Sequence, residues 1–204
     1  MHDELDIIRE VGSIAASHAS IALAEILGRK INLAMPLLEV VACSGISTKI
    51  DMGQMGIAII CRITTGIKGE AVFILDEKNA FKLIGLSSRT KEGEKRPVVL
   101  TEVGLSTLKE IGNIVISAYL NAIAMLLKKI VLSLPPTFIS GTTDEILNII
   151  FSSAGANDFV LVIRAVFEEP GEAINGGFYL VLSQGAASDI REACKKLLEE
   201  IKNS

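Results

Sequence analysis

The stretch from Ser106 to Pro136, STLKEIGNIVISAYLNAIAMLLKKIVLSLPP, decides the fold. Ser106, Glu110, Asn113 and Ser117 follow one another at spacings of four, three and four, so a helix carries them on one face. Leu108, Ile111, Val115, Ala118, Ala122 and Leu126 line a second face suited to burial. The polar stripe therefore sets a carboxylate and an amide one turn apart on the outward side of a core helix.

The chain opens with the same pattern. In residues 3–29, Asp6, Glu10, Ser13 and Ser17 again fall at four, three and four. Leu5, Ile8, Val11 and Ile14 supply apolar positions, and Gly28 supplies a helix stop. A shift of one hundred superimposes the two stretches without a gap. Glu10 meets Glu110, Gly12 meets Gly112, Ser17 meets Ser117 and Pro36 meets Pro136. A period this long is not that of a solenoid. It implies two copies of one unit packed about a pseudo-two-fold axis, residues 1–96 and 97–204, with Pro36 and Pro136 ending the helical runs and setting the next strand.

Working outward, Leu37–Ser44, Gly56–Thr64 and Ile67–Leu75 read as strands, the last two joined by the hairpin signal Thr65-Gly66. Glu77–Leu86 reads as a helix capped by Asp76, and the polar run Ser87–Arg96 as an exposed linker. In the second half, Thr101-Glu102 caps the long helix. Thr137–Gly141 is a short strand, and Thr143–Phe151 is a short helix with no match in the first half, where Ser44–Gln54 reads as loop. Val160–Glu168 and Gly176–Ser183 are strands joined by a turn over Pro170–Asn175, and Ala186–Lys202 is an amphipathic helix. Each half is helix, strand, hairpin, helix. The fold class is α+β, a sandwich-like arrangement in which two pseudo-symmetric repeats share one continuous sheet with helices packed on it.

Composition narrows the function classes. Half of the 204 residues are apolar while only 4% are aromatic, so the core is aliphatic. A net charge of −4 with no basic patch gives nucleic-acid binding no electrostatic support. Cys43, Cys61 and Cys194 share no metal-ligand spacing and read as buried or half-buried free thiols in a reducing cytosol. His2 and His18 do not make a His-rich metal site. The charged opening MHDELDIIRE is not a secretory signal, and the uncharged run Ile111–Leu127 falls short of the ~20 residues a membrane span needs. The expectation is a soluble cytoplasmic protein.

A polar helix face is ordinarily just solvated. Here Gly112 and Gly12 sit inside helices where Ala would be better by about 1 kcal/mol, so something approaches closely. The stripe also lacks a Lys–Glu ladder, and it occurs twice in phase. A Glu without His or metal is a weak base at neutral pH, and Asn transfers no proton. The Asn amide does hold a water by donating and accepting together. The pair thus suits docking plus water positioning, with a partner supplying the reactive group and its metal.

On these residues the chain resembles the CheC/CheX/FliY family of chemotaxis phosphatases. Their signature is an Asp or Ser, three residues, Glu, two residues, Asn, twenty-two residues, Pro. Ser106, Glu110, Asn113 and Pro136 match it in full; Asp6, Glu10 and Pro36 match it with Ser13 in the Asn position. The resemblance implies hydrolysis of the aspartyl phosphate on the response regulator CheY. By it, Glu110 docks on a regulator lysine and Asn113 aligns the attacking water. The protein holds no cofactor of its own, Mg²⁺ coming with the regulator. Glu10 and Ser13 form a degenerate second site that docks and hydrolyses poorly, since the serine is about two bonds shorter than the amide. Asp6 and Ser106 flank the motif at the periphery. The resemblance also implies a second partner, CheD, with Thr143–Phe151 as the candidate surface. A non-catalytic module that binds phosphorylated CheY and CheD is the alternative. A flagellar-switch component like FliY fits less well, because such proteins usually carry a further C-terminal domain.

Overall fold

The computed structural model describes residues 4–28, 30–42, 53–87, 101–152, 159–169 and 172–203. The linker expected at Ser87–Arg96 and the loop expected at Ser44–Gln54 lie almost wholly outside these residues, as does Cys43.

The first helix, α1 (Glu4–Leu27), is followed by β1 (Asn32–Ala42), the hairpin β2 (Met55–Thr65) and β3 (Gly69–Asp76), and α2 (Glu77–Ser87). The chain continues with α3 (Glu102–Leu127), β4 (Leu132–Ser133), β5 (Thr137–Thr142) and α4 (Thr143–Ser152). The hairpin β6 (Phe159–Glu169) and β7 (Glu172–Leu182) and a final helix, α5 (Gln184–Lys202), complete it. The strands form one antiparallel sheet in the order β1-β6-β7-β3-β2-β4, with β5 also paired to β2. The centre of the sheet is the β3–β7 pair, in register from Gly69 opposite Leu182 to Ile74 opposite Gly177. Outward from it, β2 and then β5 lie on one side, and β6 and then β1 on the other.

Alternation along the central strands explains how both faces are covered. From β2 and β3, Ile57, Ile59, Cys61, Ala71, Phe73 and Leu75 point into the larger core, beneath α1, α2, α3 and α5. The intervening Ala58, Ile60, Val72 and Ile74 point the other way and bury against Ile146, Leu147 and Ile150 of α4. With apolar side chains needed on both faces, these strands read as continuous Ile/Val runs, without polar alternation. Few aromatics suffice to fill the core. Phe73 meets Phe167 edge-on at 5.6 Å between ring centroids, and Tyr119 lies against Phe178 at 4.8 Å.

The helices start where side chains can take up their first N–H groups. Asp76 Oδ1 accepts from the Asn79 amide at 2.7 Å, and Thr101 Oγ1 from the Gly104 amide at 3.1 Å. At α4, Thr142 and Glu145 cap each other. The Glu145 amide donates to Thr142 Oγ1, while Glu145 Oε2 accepts from the Thr142 amide at 2.8 Å and its hydroxyl at 3.0 Å. Those bonds hold the Glu145 carboxyl below the usual range.

Several boundaries differ from the sequence reading. The first long helix stops at Leu27, at the expected Gly28, but the second stops at Leu127, well before Pro136. They stop because Gly28 (φ +63) and Lys128 (φ +53) turn the chain left-handed. The prolines interrupt edge strands. The β1 register with β6 shifts between Ala34 and Leu37, around Pro36, and Pro135-Pro136 separate β4 from β5. A residue without an N–H is tolerated there because one side of an edge strand makes no ladder bonds. β1 therefore begins at Asn32, before the proline. Glu172–Asn175 belong to a strand, since β6 and β7 remain paired out to Glu169 opposite Glu172. β4 is two residues long and carried no periodic signal. Ile14, read as an apolar position, is 39% exposed, and Leu126 is half-buried.

Candidate functional site: the outward face of the two long helices

α3 is fixed along its inner side. Leu108, Ile111, Val115, Ala118 and Ala122 are buried, as are Ile116, Tyr119 and Leu120. Among the described residues α3 is the one helix long and apolar enough to cross a bilayer, and packing against the sheet and α1 accounts for that character. The close approach expected at Gly112 is internal. A Cβ there would lie 2.9 Å from Cβ of Ile59 on β2, so the glycine lets the helix sit down on the sheet and has no bearing on docking.

A rigid inner face fixes the outer one. Ser106 and Glu110 are exposed, and Asn113 and Ser117 are half-buried on the same side. Glu110 and Asn113 are three residues apart, which sets their Cβ atoms about 5–6 Å from each other. Neither side chain is hydrogen-bonded or ion-paired to another described residue. The carboxylate and the amide thus stand side by side, uncommitted among the described residues, on a helix packed into the core.

The first stripe lies in the same layer, since α1 packs directly against α3. Asp6 is half-buried, and Glu10, Ser13 and Ser17 are exposed. Its chemistry differs. Ser13 Oγ donates back to the Arg9 carbonyl oxygen at 3.1 Å, so the hydroxyl that replaces the amide is turned onto its own helix. Arg9 Nη1 also pairs with Asp6 Oδ1 at 3.1 Å. Asp6, expected only at the motif's periphery, is thus ion-paired to Arg9, and the spacing of three between opposite charges is the signal in the sequence for this pair. Pro36 and Pro136, on or beside edge strands, are not part of either stripe.

Other chemistry is sparse. No three of His, Cys, Asp and Glu converge among the described residues. Cys61 and Cys194 are buried and unbridged, and burial pushes the Cys61 thiol up to about 11, which removes it as a nucleophile at neutral pH.

Residues 103–140, which contain Ser106, Glu110, Asn113 and Pro136, match the model of the CheC-like family. The CheY-P phosphatase CheC of Bacillus subtilis is 28% identical over 127 residues, 62% of this chain; the match spans 61% of that protein's length. Among solved structures, Thermotoga maritima FliY shares the fold with a TM-score of 0.76 at 23% identity, covering 96% of this chain and 98% of that one. The CheX–CheY–BeF₃–Mg²⁺ complex of Borrelia burgdorferi matches with a TM-score of 0.50 at 16% identity, covering 86% of this chain and 97% of that one. The helix stripe carrying Glu110 and Asn113 thus lies within the stretch similar to the CheC-like family, on a fold shared with FliY.

Proposed function

We propose that this protein hydrolyses the aspartyl phosphate of a CheY-type response regulator, and that the Glu110–Asn113 pair carries the reaction. The observation behind this reading is the pair itself: a carboxylate and an amide on adjacent turns, facing outward, with no partner among the described residues. The CheC relative is named a CheY-P phosphatase, and a CheX of this fold is known in complex with CheY, which favours the same substrate here.

In this mechanism Glu110 docks on a cationic side chain beside the phosphorylated aspartate. Asn113 enters the regulator's active site, donates to and accepts from a water, and holds it in line with the scissile P–O bond. The water oxygen attacks phosphorus, the bond to the aspartyl oxygen breaks, and inorganic phosphate leaves the restored carboxylate. Mg²⁺ carried by the regulator offsets charge on the transferring group, so this chain needs no metal of its own. Orientation without proton abstraction is worth several kcal/mol. The reaction belongs in the cytoplasm, where such regulators are phosphorylated.

Ser13 supports a second reading for the first stripe. With its hydroxyl bonded to Arg9, Glu10 docks a regulator without positioning water. Were both sites of this kind, the protein would be a binding module for phosphorylated CheY and CheD. The outward face of α4, with Asn148 and Ile149 exposed, is the proposed CheD surface. Phosphate release from Mg²⁺-bound, phosphorylated CheY separates the two readings. Acceleration that is lost in Asn113→Ala and Glu110→Ala supports the enzyme, whereas binding with an unchanged phosphate lifetime supports the module.

A further inference from the structure

The two stripes differ in charge as well as in the amide. Arg9 is neutralised by Asp6, one turn earlier on the same helix. A shift of one hundred puts Lys109 in the place of Arg9 but Ser106 in the place of Asp6, so the cation is kept and its carboxylate is lost. The helical neighbours of Lys109 at three and four residues, namely Leu105, Ser106, Gly112 and Asn113, are all uncharged. No ion pair to Lys109 is found among the described residues, and its side chain is exposed. Lys109 and Asn113 are four apart on one helix, so the ammonium and the amide are neighbours and meet the same part of any docked molecule. Glu110 likewise has Ser106 one turn before it, where Glu10 has the like charge of Asp6.

We propose that Lys109 recognises the phosphoryl group of the partner and selects the phosphorylated regulator over the unphosphorylated one. The first stripe, with Arg9 tied to Asp6, lacks this selectivity. The inference rests on reading the Glu110–Asn113 face as a docking site for phosphorylated regulator. A phosphoryl group brings about −1.5 to −2 charge. Lys presents three donors on a flexible stem, enough to follow that charge as the amide enters.

The test measures affinity for Mg²⁺-bound CheY with and without beryllofluoride, alongside steady-state phosphate release. Wild type is expected to prefer the beryllofluoride form. Lys109→Ala should lose about threefold to tenfold of that preference, the scale of one charged contact at a partly screened surface. Binding to the unmodified regulator should change less than twofold. KM should rise by the same factor as the lost preference, while kcat moves less than twofold and kcat/KM becomes less sensitive to salt. Lys109→Arg should retain the preference. Ser106→Asp, which rebuilds the pair of the first stripe, should reduce it. A Lys109→Ala protein with unchanged preference, or with both forms weakened equally, overturns the inference alone. Wild type that binds neither form overturns it together with the docking reading. Wild type that binds but does not hydrolyse removes the phosphatase reading, and the preference then decides the role of Lys109.

Discussion

At the scale of single residues, the difference between the two polar stripes reduces to a few atoms. Asn113 offers an amide with no partner among the described residues, whereas Ser13 offers a shorter hydroxyl already donated to the Arg9 carbonyl. Placing Ser13→Asn in an Asn113→Ala background should therefore restore phosphate release, to a level below wild type because Asp6 and Arg9 remain. No restoration would mean that the surface around Glu10 has diverged beyond this one side chain. The stripe of Glu110 and Asn113 was legible in the sequence because a polar face at helical spacing needs only local geometry. The bond from Ser13 to Arg9 was not, since a serine hydroxyl rotates freely and its choice between solvent and the carbonyl four residues back leaves no mark on spacing.

At the scale of elements, α3 is the support on which the site depends, and two positions on it respond oppositely to the usual helix rules. Gly112→Ala should destabilise the protein by up to about 2 kcal/mol. Overpacking against Ile59 costs about 1–3 kcal/mol and outweighs a propensity gain of about 1 kcal/mol. Lys128→Gly should stabilise it by about 0.5–1 kcal/mol. The left-handed conformation at φ +53 costs a side-chain residue about 1–2 kcal/mol, and glycine returns part of that as unfolded-state entropy. Urea midpoints at unchanged slope would check both signs. Neither effect could be read from sequence. Gly112 announced a close approach, but only the sheet identifies Ile59 as the neighbour. At position 128 a lysine stands where the first long helix has the recognisable stop Gly28. The prolines misled for a related reason. Pro36 and Pro136 do mark breaks, but in edge strands, because the left-handed turns had already ended both helices.

At the scale of the molecule, the sheet is built by exchange across the chain. β1 pairs with β6, β5 with β2, and β3 with β7. We propose that this order, the same element types read from either edge, reflects duplication of one unit, residues 1–96 and 97–204. Neither unit alone would complete a sheet, because each gives its first strand to the other. A fragment of residues 97–204 should accordingly fail to fold as a monomer, and gel filtration with circular dichroism should find it associated or unstructured. A monomeric, cooperatively unfolding fragment would contradict the exchange as the source of stability. The Ile/Val runs and the hairpin at Thr65-Gly66 made a sheet readable, and the shift of one hundred made the two long helices with their polar stripes readable. Which strand lies beside which depends on contacts between distant segments and had no local signature.

The most direct measurement is the rate of phosphate loss from Mg²⁺-bound, phosphorylated CheY with wild type and with Asn113→Ala. Asn113 is half-buried on the outward face, so its replacement should leave thermal stability within about 0.5 kcal/mol. Wild type should accelerate the loss, and Asn113→Ala should abolish roughly a hundredfold of that acceleration. An Asn113→Ala protein as active as wild type, or a wild type that binds phosphorylated CheY and leaves its phosphate lifetime unchanged, would contradict this mechanism.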